Sequence, residues 1–301
     1  MFQFGKRILL LLAMNVLVIL TISLILHFFQ IQPYLTHKGL NLQSLAIYSM
    51  IWGFTGAFIS LLLSKVMAKW MMGVTIIDPQ NASGEERMLV ETVRNLAQNA
   101  GLSSTPEVGI YEGAEVNAFA TGPSRNHSLI AVSRGLLKTM SPSALQGVLA
   151  HEMTHITNGD MVTMTLLQGV INSFVLFASR IIGYAIASRR DDEGERNYAL
   201  QHMISFVAEI VLSFLGMILL ASFSRWREYR ADAGAARITS PHKMIEALQT
   251  LKFISEQRGF PSSREDSFAS LKINGGKGFL SLFATHPPLE DRIQRLQEGS
   301  F

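Results

Sequence analysis

Ser141 to Asp160 reads SPSALQGVLAHEMTHITNGD, and the fold turns on this stretch. Ser141-Pro142 is a helix start: a hydroxyl that can cap the first turn, then a proline whose fixed φ and missing N–H suit the first helical position. Leu145, Val148, Leu149 and Ile156 supply an apolar face, and Asn158-Gly159-Asp160 closes the helix. On that helix His151 and His155 stand at i and i+4, so both imidazoles share one face and can reach one metal ion. Glu152 projects at an adjacent angle, where it can deprotonate a water on the metal without ligating the ion. With 8 histidines in 301 residues, the H-E-x-x-H spacing would arise by chance roughly 0.01 times in such a chain. The helix therefore predicts a metal-dependent hydrolase centred on His151, Glu152 and His155.

The chain has no cysteine, which excludes disulfides, thiolate ligands and a cysteine nucleophile. Any metal must rest on His, Asp or Glu. A catalytic zinc needs a third protein ligand and one open position. His202, His242, His286 and a downstream carboxylate are the candidates, and Glu228 in Arg227-Glu228-Tyr229-Arg230-Ala231-Asp232 is the best of them. Asp232 lies i+4 from Glu228 on the same helix face, placed to hydrogen-bond the far nitrogen of a ligand histidine. The same two acids can instead pair with Arg225, Arg227 or Arg230 on a solvated face.

Hydrophobic residues make up 48% of the chain and charged ones only 16%, a balance too apolar for a soluble enzyme. The net charge of +3 comes without a Lys/Arg-rich block, so nucleic acid is not an expected partner. The apolar excess sits in four runs. Ile8 to Phe29, preceded by Lys6 and Arg7, exceeds the roughly 7–15-residue core of a cleaved signal and reads as an anchor. Leu42 to Ser64 is the second, and both reach the ~20 residues that cross a bilayer. The link between them carries only Lys38 as a fixed charge, whereas Lys6, Arg7, Lys65 and Lys69 flank the pair. Positive charge marks the cytoplasmic side, so both ends of this hairpin should face the cytoplasm.

Residues 161–179 and 203–223 form the other two runs. Their length predicts a second crossing pair, although the loop Ser188–Asn197 holds three arginines and four acids; a buried helical hairpin is the alternative. Glu209 is expected to pair with an arginine near the membrane surface. Gly84 to Ala100 predicts an amphipathic helix with Met88, Leu89, Val93, Leu96 and Ala97 on one face. Glu107–Tyr111, Glu115–Thr121 and His127–Val132 predict three short antiparallel strands.

The expected architecture is mainly α with a small β-sheet: integral membrane helices plus a cytoplasmic metalloprotease domain. Its divisions are a transmembrane hairpin at 1–64 (spans about 8–29 and 42–64), a first protease segment at 65–160, a second membrane-associated hairpin at 161–223 and a second protease segment at 224–301. That second hairpin begins at Asp160, five residues after His155, and ends at Phe223, five before Glu228. A metal held by His151, His155 and Glu228 would clamp its two ends.

HEMTHITNGDM, REYRADAGAA, VNAFATG and ATHPPLEDRI resemble the motifs of the HtpX family of membrane heat-shock proteases, gluzincins grouped with the CAAX prenyl endopeptidases. The resemblance runs from the first apolar run to the last helix. It implies Glu228 as the third ligand of a single Zn2+ per chain, and a multi-pass protein of a bacterial inner membrane with its active site facing the cytoplasm. It further implies degradation of misfolded membrane proteins in a stress response, alongside other membrane proteases or quality-control partners. Asn117 and Ala118 fall where gluzincins bind substrate backbone, on a strand whose edge can pair with an extended peptide. His286 or Arg292 can steady the oxyanion of the tetrahedral intermediate, and His286 can equally serve as a helix cap. Two other readings stand beside this one: a prenyl-protein processing protease, and a membrane scaffold with a structural zinc site.

Overall fold

The computed structural model describes residues 2–31, 33–36, 39–188, 197–258 and 279–299. Lys38 and the stretch 189–196, which holds the loop arginines, lie outside the described residues. In chain order the elements are α1 (Phe2–Phe28), β1 (Leu35–Thr36), β2 (Gly39–Leu40), α2 (Leu42–Leu62), α3 (Ser64–Met72) and β3 (Thr75–Ile76). Then come α4 (Gly84–Asn99), β4 (Glu107–Tyr111), β5 (Ala118–Ser124), β6 (His127–Ser133), α5 (Arg134–Thr139) and α6 (Pro142–Asn158). The long helices α7 (Asp160–Ala187) and α8 (Tyr198–Ile238) follow, then α9 (Pro241–Arg258), a 3-10 turn at Phe279–Phe283 and α10 (Leu289–Gln297). The protein is thus mainly helical with a small sheet. It divides into two compact units, Met1–Ser60 with Met164–Leu220 and Leu61–Thr163 with Ala221–Phe301.

In the first unit, α2, α7 and α8 are each long and apolar enough to cross a membrane, and α1 adds the shorter apolar stretch Leu12–Phe28. Leu166, Val170 and Phe174 on α7, and Phe206, Ile210 and Phe214 on α8, are large apolar side chains left exposed on these helices. Where the helices touch, glycines let them close. A Cβ on Gly53 would stand 2.5 Å from the backbone nitrogen of Ser173, so only glycine brings α2 this near to α7. Glu209 is ion-paired with Arg180 at 3.2 Å, the arginine partner expected of it.

The second unit is a sheet of order β3-β4-β6-β5 packed with helices. β5 and β6 pair antiparallel, as expected, but β4 and β6 run parallel, with Val108 opposite Ile130 and Ile110 opposite Val132. The physical reason lies in β6. Ser128 to Ser133 is buried at every position, so the strand needs a neighbour on each side. The hairpin therefore turns β6 inward beside β4 and leaves β5 at the edge. Strand β3 adds a further edge that strand patterning did not indicate. The core joins Leu89, Val93 and Leu96 of α4, Ile130 and Val132 of β6, Leu149, Met153 and Ile156 of α6, and Met244 and Leu248 of α9. Met88, placed on the buried face of α4 by its spacing, is 43% exposed; Val90 is buried instead.

Candidate metal centre

Helix α6 is fixed at both ends by local chemistry. The Ser141 hydroxyl accepts a hydrogen bond from the Ala144 N–H at 3.0 Å, and Pro142 opens the first turn. Gly159 ends the helix with φ of 71°, a left-handed conformation that glycine adopts without penalty. Between these ends α6 lies deep in the core, and both histidines are buried, at 7% and 8% exposure.

Helix α8 brings Glu228 to them. Nε2 of His151 lies 3.1 Å from Nε2 of His155 and 3.2 Å from Oε2 of Glu228, and Nε2 of His155 lies 3.4 Å from Oε1. Ligands bound about 2.0–2.1 Å from a tetrahedral ion stand about 3.3 Å from one another. The three donors therefore match the face that such an ion would cap. Among the described residues they are the group that can hold a metal ion. His242 is far too exposed to join it, with 86% of its side chain in solvent.

Each histidine is held from behind by its own carboxylate, which fixes the ring and its tautomer. Asp232 Oδ1 lies 2.9 Å from Nδ1 of His151, as the i+4 spacing from Glu228 predicts. Asp160 Oδ2 lies 2.6 Å from Nδ1 of His155, a contact the sequence reading missed. Its signal was present: an acid directly after a left-handed glycine, five residues beyond the histidine. Burial opposes charge on His151, but the hydrogen bonds it donates to Asp232 and Glu228 outweigh it and push its pKa up to about 10. Burial also opposes charge on His155, and Asp160 with Glu228 again raise the pKa.

Arg292 of α10 grips Asp232 with both arms of its guanidinium, Nε to Oδ2 at 2.7 Å and Nη2 to Oδ1 at 2.6 Å. Both groups are buried. The chain of contacts thus runs Arg292, Asp232, His151. Asp232 pairs with this arginine rather than with its helix neighbours, whereas Glu228 also touches Arg227 Nη2 at 3.1 Å. His286 Nδ1 lies 2.9 Å from Oε2 of Glu228, with 47% of its side chain exposed. Arg225 holds the approach to His286: its Nη1 donates to the carbonyls of Leu282 and Ala284 at 3.1 and 2.6 Å. Arg230 lies over the Trp226 ring, 4.7 Å from its centroid.

Glu152 is half-buried beside His151 on α6. Asn117 lies one residue before β5 rather than within a strand. Its amide donates to the Tyr111 hydroxyl at 3.0 Å, and its backbone N–H to Ser133 Oγ at 3.2 Å. Ala118 opens β5 opposite Val132, on the sheet edge and on a strand that packs against α6.

Two buried histidines at i and i+4, a glutamate from a second helix and apolar helices long enough to cross a bilayer define a membrane metalloprotease. Residues 83–300 match peptidase family M48, and the chain belongs to that family. It is 48% identical over 297 residues to the protease HtpX homolog of Methylacidiphilum infernorum, covering 97% of this chain and 98% of that protein. It is 46% identical to the protease HtpX homolog of Bacillus subtilis, covering 97% of this chain and 99% of that one. Its fold matches the crystal structure of S. mikatae Ste24p with a TM-score of 0.69 at 16% identity, over 97% of this chain; the chain spans 65% of Ste24p's length.

Proposed function

We propose that the protein is a zinc-dependent endopeptidase of a bacterial inner membrane that cuts misfolded or damaged membrane proteins. The carrying observation is the triangle of His151, His155 and Glu228 with Glu152 beside it. Two imidazoles and one carboxylate are the donor set of catalytic zinc sites that keep one position open. Zinc bound there supplies Lewis acidity, which acidifies a water and polarises a peptide carbonyl. Glu152 takes the proton from the attacking water and returns it to the leaving amine. A structural site has no use for that carboxylate, so Glu152 favours the protease over a scaffold.

Asp232 and Asp160 hold the two rings in register. Arg292 is committed to Asp232 through both arms and acts by positioning it. His286, at the exposed side of Glu228, is the group assigned to the carbonyl oxygen as charge develops there. The β5 edge at Ala118 offers main-chain pairing to an extended peptide, with Asn117 setting its start. The two compact units support a protease domain whose sequence is interrupted by a membrane hairpin, with the site on the cytoplasmic side that Lys6, Arg7, Lys65 and Lys69 mark.

The test is Glu152→Ala in the full-length protein in detergent, against an unfolded protein substrate. The expected result is cleavage lost with zinc retained, and cleavage by the wild type abolished by chelation and restored by zinc. Undiminished cleavage by Glu152→Ala would sink the mechanism. Cysteines placed singly in 189–196 and labelled from each side of the membrane test the topology, which requires labelling from the non-cytoplasmic side.

A further inference from the structure

A cavity of about 660 Å³ lies where α6 hands over to α7, lined by residues that the metal site does not use. Its wall joins the turn after α4 (Leu102, Ser103), the tip of the β5–β6 hairpin (Ser124, Arg125, Asn126) and the α6–α7 junction (Asn158, Val162, Thr163). We propose that this cavity binds the phosphate of an anionic phospholipid headgroup.

Position comes first. Val162 and Thr163 belong to the first turn of α7, where that helix begins its apolar run. If α7 crosses the bilayer, this turn sits at the level of the headgroups, and the inference rests on that reading. The lining is also one-sided in charge. Arg125 is its one charged residue, and the rest of its polar surface is hydroxyl and amide. The smaller cavity beside β3 contrasts with it: Asp78, Glu86 and Glu112 line that one, and its Arg134 already pairs with Glu85 and Glu112. Such a wall repels an anion.

Two groups in the larger cavity lack what a phosphate would bring. Arg125 is exposed and makes no ion pair among the described residues. Asn158, which also lines the cavity, has a side-chain nitrogen with no hydrogen-bond partner among the described residues. Arg125 also lies over the end of α6, with Nε 3.5 Å from where a Cβ on Gly159 would stand. A role as a helix cap alone does not account for it. The α6 end is closed by its own backbone, where the Gly159 N–H donates to the His155 and Ile156 carbonyls. Asp160, next to Gly159 in the chain, is buried and bonded to His155 at 2.6 Å, turned to the metal site.

The experiment titrates the full-length, metal-loaded protein in neutral detergent with phosphatidylglycerol, phosphatidylcholine or inorganic phosphate, reading bound lipid by native mass spectrometry. Saturable binding of phosphatidylglycerol over phosphatidylcholine is expected. Arg125→Ala should weaken it about fivefold, the effect of one basic residue at a membrane surface, and Arg125→Lys should retain most of it. The hairpin tip is exposed, so these variants should fold, and equal thermal midpoints without lipid verify that they do. Equal phosphatidylglycerol binding by wild type and Arg125→Ala overturns the site. Full displacement of the lipid by millimolar inorganic phosphate overturns the lipid as its source and leaves a free-anion site.

Discussion

Oδ2 of Asp160 stands 2.6 Å from Nδ1 of His155, and it does so because Gly159 turns the chain between them. The first residue of α7 therefore belongs to the metal site. Asp160→Asn keeps the size but loses the charge that orients and strengthens the imidazole. Metal affinity should fall about 10–100-fold, the usual cost of removing such a partner. Competition with a graded series of chelators measures it, and unchanged affinity would remove Asp160 from the site.

Arg292 and Asp232 make a different case, because both charges are buried. Arg292→Ala leaves Asp232 with His151 as its one ion-pair partner among the described residues and should cost about 3–5 kcal/mol of stability. Arg292→Lys keeps the charge without the two-armed grip and should fall between. Thermal unfolding of each variant in a Glu152→Gln background avoids self-cleavage. If Arg292 instead met the substrate, Arg292→Lys would lower kcat and leave the unfolding midpoint unchanged.

What could be read from the sequence follows from how local each signal is. Helix α6 was legible end to end, since its cap, its proline, its apolar spacing and its closing glycine all lie within twenty residues. Glu228 and Asp232 were legible as a pair for the same reason. The parallel pairing of β4 with β6 was not, because alternation shows which residues are buried and says nothing of which strand sits alongside. Nor was the continuity of α8. The arginines from Arg225 to Arg230 mark where the apolar run stops, and the sequence division falls at residue 224. No proline interrupts the chain there, so one helix of 41 residues carries both the apolar run and Glu228. Asp160 was missed because its role depends on the direction in which Gly159 sends the chain.

Acidity should act on the metal-free and metal-loaded proteins in opposite senses. His151 has its pKa raised from 6.5 to about 10 by its buried carboxylates. A raised value means that the proton stabilises the folded metal-free protein fully below about pH 6.5, and that this contribution is lost as pH climbs towards 10. A metal ligand must be neutral, so metal affinity should rise over the same window, by about tenfold per unit for each proton displaced. Unfolding of the chelated protein and metal binding, each followed from pH 6.5 to 10, test the pair of slopes. Slopes of the same sign would contradict the assignment.

Metal removal should loosen more than the reaction centre. His151 and His155 end α6 just before α7 departs, and Glu228 lies on α8 beyond its apolar run, so an ion held by all three would fasten the chain before α7 to the chain after the apolar part of α8. Without it, Glu228 is a buried carboxylate held by Arg227, His151, His155 and His286, with Arg292 further off. An ion present at a thousand times its dissociation constant contributes about 4 kcal/mol, so chelation should lower the thermal midpoint by several degrees. Zinc should restore it in the wild type and in Glu152→Ala alike, because the proposed mechanism gives Glu152 no part in holding the ion. Glu228→Gln keeps the shape with a weaker donor, and zinc should restore much less. A midpoint indifferent to chelation would mean that packing alone holds α6 to α8.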